Sequence, residues 1–199
     1  MNTRRRKGSI WYLVLIGVVS VVLVGALMSM QPQADVLDVG IRSSALLGYI
    51  GLFLSIVSSA YLRQMLSLFG RPFVRVHHIL SICSLVLITL HPLGLALRSM
   101  SLAVLVPDFS SWNRFLLFGG RPGWYVVIIA VAAARFRRHI RSSWRVVHIF
   151  NYVAFLLITA HGIMIGTDTQ GLLVRVVMIA MTVAATAVFI AKRLRRRGR

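Results

Sequence analysis

Apolar residues run along this chain in stretches of membrane length, broken by short clusters of arginine, glycine and aspartate. Six stretches stand out, at residues 9–30, 44–66, 74–97, 122–136, 143–165 and 171–191. A helix rising ~1.5 Å per residue needs about 20 residues to cross a hydrocarbon core ~30 Å thick. The fourth stretch is short of that length and the others match it. The pattern predicts an all-α fold, a polytopic membrane protein whose six transmembrane helices form one bundle and one domain over residues 1–199.

Composition agrees with the pattern and charge refines it. At 58% hydrophobic residues and a mean hydropathy of +0.81, the chain is too apolar for a soluble domain. Its net charge of +19, from 23 Lys and Arg against four Asp and no Glu, would point to nucleic acid in a soluble protein. The distribution of the charge argues against that partner. With a cytoplasmic N-terminus, the basic residues of 4–7, Arg63, Arg71, Arg75, the arginines of 135–145 and the basic residues of 192–199 lie inside, eighteen of the 23. Arg42, Arg98, Arg114, Arg121 and Arg175 fall outside or at outer helix ends, together with Asp35, Asp38, Asp108 and Asp168. Without the short fourth span, the tail KRLRRRGR would face outward. The positive-inside bias therefore keeps that span and predicts six crossings with both termini cytoplasmic, in a multi-pass protein of the plasma or inner membrane. Trp11, Tyr12 and Trp144 then lie at the inner interface and Trp112, Trp124 and Tyr125 at the outer one, as anchors. The cationic inner loops suit an acidic protein or anionic lipids as partners.

The apolar part of the N-terminal segment is about twenty residues long, beyond the h-region of a secretory signal, and reads as a retained first helix. One cysteine, Cys83, lies mid-membrane, so there is no disulfide pair and no C-x-x-C-H motif for covalent haem. Any redox centre must be held non-covalently. No glycine-rich phosphate loop occurs, so the chain carries no nucleotide-binding domain.

Ionisable side chains are rare within spans, and here four histidines occupy two of them. His77 and His91 are fourteen residues apart in the third span; His148 and His161 are thirteen apart in the fifth. Each pair spans roughly 20 Å of helix, placing its members near opposite faces of the hydrocarbon. An offset of seventy residues aligns the two spans: Arg75, Val76, His78 and Ile79 match Arg145, Val146, His148 and Ile149, while Ile88, Thr89 and His91 match Ile158, Thr159 and His161. Both spans start from the same side, so they run parallel and their histidines reach the same two depths. His139, in the arginine-rich loop, reads as an inert exposed residue.

Imidazole is a common axial ligand of haem iron, and a haem between facing helices needs one nitrogen from each. The arrangement predicts two non-covalent b-type haems, the outer held by His91 with His161 and the inner by His148 with His77 or His78. Two axial imidazoles leave no open position at iron, so such a centre passes electrons. Geometry and repeat disagree about the inner partner. At ~100° per residue, His77 lies roughly 40° from His91 and His78 about 140°, yet the repeat matches His78 to His148. We take His77. In the fifth span the thirteen-residue spacing must be corrected by tilt, local overwinding or side-chain reach. Pro92 after His91 should bend or end its helix, and Gly162 after His161 reads equally as room for a macrocycle or as an ordinary membrane glycine. Arg71, Arg75 and Arg145 are placed for inner propionates, and Arg98, Arg114 or Arg121 for outer ones. Met28, Met100 and Met164 read as gap-filling apolar residues.

On His77-x13-His91 and His148-x12-His161-Gly162 the chain resembles the ferric reductase-like transmembrane domain family, which includes the membrane core of NADPH oxidases. The resemblance covers nearly the whole chain and implies that His77, His91, His148 and His161 ligate two b-type haems moving electrons from the cytosolic face outward. Many relatives carry a cytosolic FAD and NAD(P)H domain after the last helix, and this chain ends eight residues after Ala191. The resemblance then implies a separate donor, a cytosolic flavoprotein with FAD or FMN or a quinol, as for the haem subunit of the methionine sulfoxide reductase system. The acceptor would be a molecule or an extracytoplasmic protein on the outer side, which makes the chain an oxidoreductase component. A histidine-lined metal-ion or proton transporter would recruit intramembrane carboxylates, and here all four aspartates fall in predicted loops. A non-catalytic anchor subunit is the third class.

Overall fold

Backbone polar groups in hydrocarbon can be satisfied only within the chain, which makes helix the default for every apolar stretch. A computed structural model describes residues 3–29, 35–69 and 73–197, and among them every regular element is helical. The elements in order are α1 (Thr3–Ser29), α2 (Val36–Ala60), α3 (Leu62–Phe69), α4 (Phe73–Ser99), α5 (Trp112–Leu117), α6 (Gly120–Arg135), α7 (Arg137–Ile140), α8 (Trp144–Ile149), α9 (Asn151–Ile165) and α10 (Leu172–Arg197). Short 3-10 turns stand at Leu102–Leu105, Arg141–Ser143 and Asp168–Gln170. Met30, Arg71 and Arg199, named above, lie outside the described residues.

Among the described residues, four segments are long and apolar enough to cross a membrane: Val36–Ala60, Val74–Ser99, Trp144–Ile165 and Leu172–Leu194. Their exposed positions are apolar too: Ile79, Ile82, Val86 and Leu90 on α4, and Leu173, Val176, Val183 and Ile190 on α10, are each at least half exposed. Such surfaces call for lipid as the surrounding solvent, and the chain is a membrane protein. Within α1 the qualifying apolar stretch is the shorter Val14–Ala26, and α6 has 16 residues, a length of ~24 Å.

Several boundaries differ from the sequence pattern for local reasons. The second helix starts at Val36, not 44, because the Asp35 carboxylate accepts the Asp38 N–H at 2.6 Å and caps it. Asp38 and Arg42, which resemble loop charges, neutralise each other one turn apart at 3.2 Å. The same helix ends at Ala60, and α3 follows as a separate short element. Pro92 does not end α4, which continues to Ser99. The fifth span is divided at Phe150, whose N–H bonds the Val147 carbonyl at 3.1 Å. A bond three residues back advances the helix by ~120° per residue in place of ~100°. That tightening lies between His148 and His161 and supplies part of the overwinding their thirteen-residue spacing requires.

The chain divides into two compact units, Met1–His91 and Pro92–Arg199. In the first, α1 packs along α2 and α3. One stripe of α2, Ser44, Gly48, Gly51 and Ser55, is buried and consists of small residues at alternating four- and three-residue spacing. These admit α4 in antiparallel sense. A Cβ on Gly48 would stand 2.6 Å from Ile88, one on Gly51 would strike the Ser84 hydroxyl, and Ser55 meets Ser81 at 3.3 Å. In the second unit, Gly119, Gly120 and Gly123 admit α9 to α5 and α6: a Cβ on Gly123 would stand 2.9 Å from Ile158. Ile88 and Ile158 are partners in the seventy-residue repeat, so each copy packs its isoleucine on a glycine of the preceding long helix. Helix α10 then closes on α9 through Thr159 with Thr182 at 3.1 Å, Gly162 under Met178, and Tyr152 against Phe189.

Close approach by small residues is the main device for packing helices where lipid removes the hydrophobic drive. Gly51→Val should therefore cost about 1–3 kcal/mol by overpacking against Ser84. Gly40→Ala on the same helix meets open space and should gain up to about 1 kcal/mol. Thermal unfolding in detergent of the two variants checks this, and equal effects would contradict the seam.

Candidate functional site

Three of the four singled-out histidines are anchored in the same way. His91 Nδ1 lies 3.1 Å from the carbonyl of Ile41 on α2; His148 Nδ1 lies 3.2 Å from that of Ala130 on α6; His161 Nδ1 lies 2.8 Å from that of Leu117 at the end of α5. A carbonyl oxygen only accepts, so each contact requires the proton on Nδ1. The neutral ring then keeps its lone pair on Nε2, the tautomer that binds metal.

The Leu117 carbonyl is available because of Pro122. Proline has no N–H to offer the Phe118 carbonyl four residues back. That carbonyl takes the Arg121 N–H at 2.9 Å instead, and Gly119 N–H turns to Leu116 at 3.0 Å. The helix breaks between α5 and α6, and the Leu117 oxygen is left to meet His161. Beside it, Gly120 makes room for the face of the ring: a Cβ there would stand 2.6 Å from Cδ2, 2.9 Å from Nε2 and 3.0 Å from Cγ of His161. Any larger residue would press on the ring and push it from its place.

At the other end of α9's span, His148 lies within 5.9 Å of the Trp144 ring and 3.3 Å from the Asn151 side-chain amide. In the first unit, His77 is half-buried, with its Nδ1 atom buried, and His78 is exposed; their ring centroids are 6.0 Å apart. Ser81 donates to the His77 carbonyl at 2.8 Å. His139 is exposed in the arginine-rich segment. Among the described residues no three His, Cys, Asp or Glu side chains converge as a metal-holding group; a haem needs only one imidazole from each side. The ring tautomers suit axial ligation through Nε2.

The flanking residues divide. Gly162 makes room for Met178 of α10, where a Cβ would stand 2.8 Å from its methyl carbon, so its open face is filled by protein. Arg121 donates to the Val106 carbonyl at 2.7 Å and lies over the Phe118 ring at 4.2 Å. Arg114 pairs with Asp108 at 2.7 Å. Arg75, Arg98 and Arg145 are exposed, Arg145 lying 5.8 Å from the Trp144 ring. The spacing of histidines gave no sign of Gly120, Asn151 or the three carbonyls. Two signals were present: the G-G-R-P-G run at 119–123, and Asn151 one turn after His148 on the same helix face.

No known protein family, curated protein or solved structure matches the chain.

The Asp108 loop offers a pH test. The Ser110 hydroxyl, the Ser110 N–H and the Arg114 guanidinium all donate to its carboxylate, holding its pKa down at about 2, against an ordinary 3.8. A depressed carboxylate contributes stability that is complete above the unfolded value and is lost as pH falls through the folded one. The Arg114 Nε–H signal should stay protected at pH 4 and collapse near pH 2; Asp108→Asn should abolish that transition. A second prediction concerns the ring: Gly120→Val should displace His161 from Leu117, removing the protonated-Nδ1 signature of that side chain in nitrogen NMR.

Proposed function

We propose that this chain is a transmembrane b-type cytochrome of the ferric reductase-like kind, with six spans and both termini in the cytoplasm. The observation that supports it most is the shared setting of His91, His148 and His161, each with Nδ1–H given to a backbone carbonyl and Nε2 left for a metal. Such an anchor orients the imidazole and raises its basicity as a ligand. Depth pairs His91 with His161 and His148 with His77, the last chosen for its angular alignment with His91 along the helix although the repeat matches His78 to His148.

Haem, when bound, supplies reversible one-electron transfer at its iron. The protein's own contribution is to hold each ring in one tautomer and one orientation, so that little rearranges as charge passes. Gly120 gives the His161 ring the room to hold that orientation. The apolar helices exclude water, and Asp38, the one aspartate within a crossing segment, lies near its start and is paired with Arg42. Exposed Arg135, Arg137, Arg138, Arg141 and Arg145 present a cationic face to an anionic-surfaced donor, a cytosolic flavoprotein carrying FAD or FMN, or to anionic lipids near a quinol. Electrons then leave to an acceptor on the opposite side, in the plasma or inner membrane.

Purified protein should show a dithionite-reducible b-type spectrum with two haems per chain. His161→Ala, His148→Ala and His77→Ala should each lose one of them, and His78→Ala neither. A preparation expressed with ample haem yet lacking that spectrum would refute the reading.

A further inference from the structure

Resting on the cytochrome reading, we infer that Asn151 is a positioning residue that lowers the potential of the haem held by His148 and leaves the other haem untouched. The argument begins with a conflict at one atom. His148 Nδ1 has the Ala130 carbonyl at 3.2 Å and the Asn151 amide nitrogen at 3.3 Å. The carbonyl demands that Nδ1 carry the proton; an amide N–H demands that it carry a lone pair. Both cannot hold. A backbone carbonyl in a helix cannot be exchanged for a donor, whereas the oxygen and nitrogen of an asparagine amide have nearly the same shape and trade places by rotation about one bond. The consistent arrangement has the amide oxygen facing Nδ1, so that Nδ1–H is shared between two acceptors, Ala130 O and Asn151 Oδ1.

The amide is held for this contact. Its far end is buried and has no hydrogen-bond partner among the described residues. A half-buried amide in an apolar span costs free energy unless something compensates, and His148 is the partner found within reach. The repeat sharpens the point. Seventy residues earlier the chain has Ser81, whose hydroxyl is spent on the His77 carbonyl at 2.8 Å and meets Ser55 at 3.3 Å. His161, the other histidine of the second unit, is anchored by the Leu117 carbonyl. Asn151 is thus a departure from the repeat at a single imidazole.

Two acceptors on one N–H make the ring a stronger donor through Nε2. A stronger donor favours the more positive ferric iron, which lowers the potential of that one-electron couple. No proton moves at His148 in this step.

The test is a potentiometric titration of the haem-loaded protein, followed by visible absorbance, for wild type, Asn151→Leu and Asn151→Asp. The His148 component is assigned as the one missing from His148→Ala. Asn151→Leu should raise that component so that its reduced-to-oxidised ratio at fixed potential increases roughly tenfold, about 59 mV for one electron, with the other component unmoved. Asn151→Asp, a stronger acceptor of the same shape, should move it the opposite way. If Asn151→Leu fails to retain that haem, Asn151→Asp decides alone: a downward shift supports the inference, and no shift or an upward one overturns it. Equal movement of both components, or none in haem-replete protein, overturns the inference and leaves the cytochrome reading standing. Wild type without haem overturns both.

Discussion

An imidazole in hydrocarbon must place its N–H on an acceptor, and in this chain three of them place it on a backbone carbonyl of another helix. That one requirement ties together features that are otherwise separate. Anchoring through Nδ1 decides the tautomer, the tautomer decides which edge of the ring has a lone pair, and at His161 the ring holds that orientation in the room Gly120 leaves for its face. In a medium of low dielectric such a bond is stronger than in water and an unmet N–H more costly. The histidines are therefore oriented by the scaffold before any ligand arrives, and the cost of ordering them is met during folding.

The scaffold that does this is used twice. In each unit a long helix offers glycines to its antiparallel partner, an isoleucine packs on one of them, and a histidine one turn further along reaches the carbonyl of the facing helix or of the break before it. The copies have diverged in their polar residues, Ser81 in one and Asn151 in the other. Shared packing with altered polar contacts is what duplication followed by specialisation of two equivalent positions would leave.

The helical, membrane-crossing character was legible because long uncharged runs admit few alternatives once backbone bonding in lipid is considered. The histidine spacing was legible for the same reason, since a charge-capable ring in such a run is conspicuous. The start of α2 was hidden by Asp38 and Arg42, which look like loop charges one at a time and cancel as a pair on adjacent turns. The carbonyl partners of the histidines were hidden because every residue has a carbonyl, and only tertiary structure tells which is within reach. Leu117 is the partial exception: Pro122 announces that some carbonyl upstream will lose its usual donor, although not that an imidazole will take it. Gly162 was ambiguous because a glycine shows that space is needed and not what fills it; Met178 does.

Leu117 and Ala130 are thirteen residues apart on one side of the second unit, and His161 and His148 are thirteen apart on the other. The two bonds thus act as the jaws of a caliper closed on equal lengths of antiparallel chain. A residue inserted between the jaws on either side would shift one jaw by ~1.5 Å along the axis and turn it by ~100°, so that only one histidine at a time could keep its carbonyl. The connecting turns beyond the jaws bear no such restriction. Insertions in this half of the molecule should accordingly spare both bonds only outside residues 117–130 and 148–161, whereas the side chains between them can change.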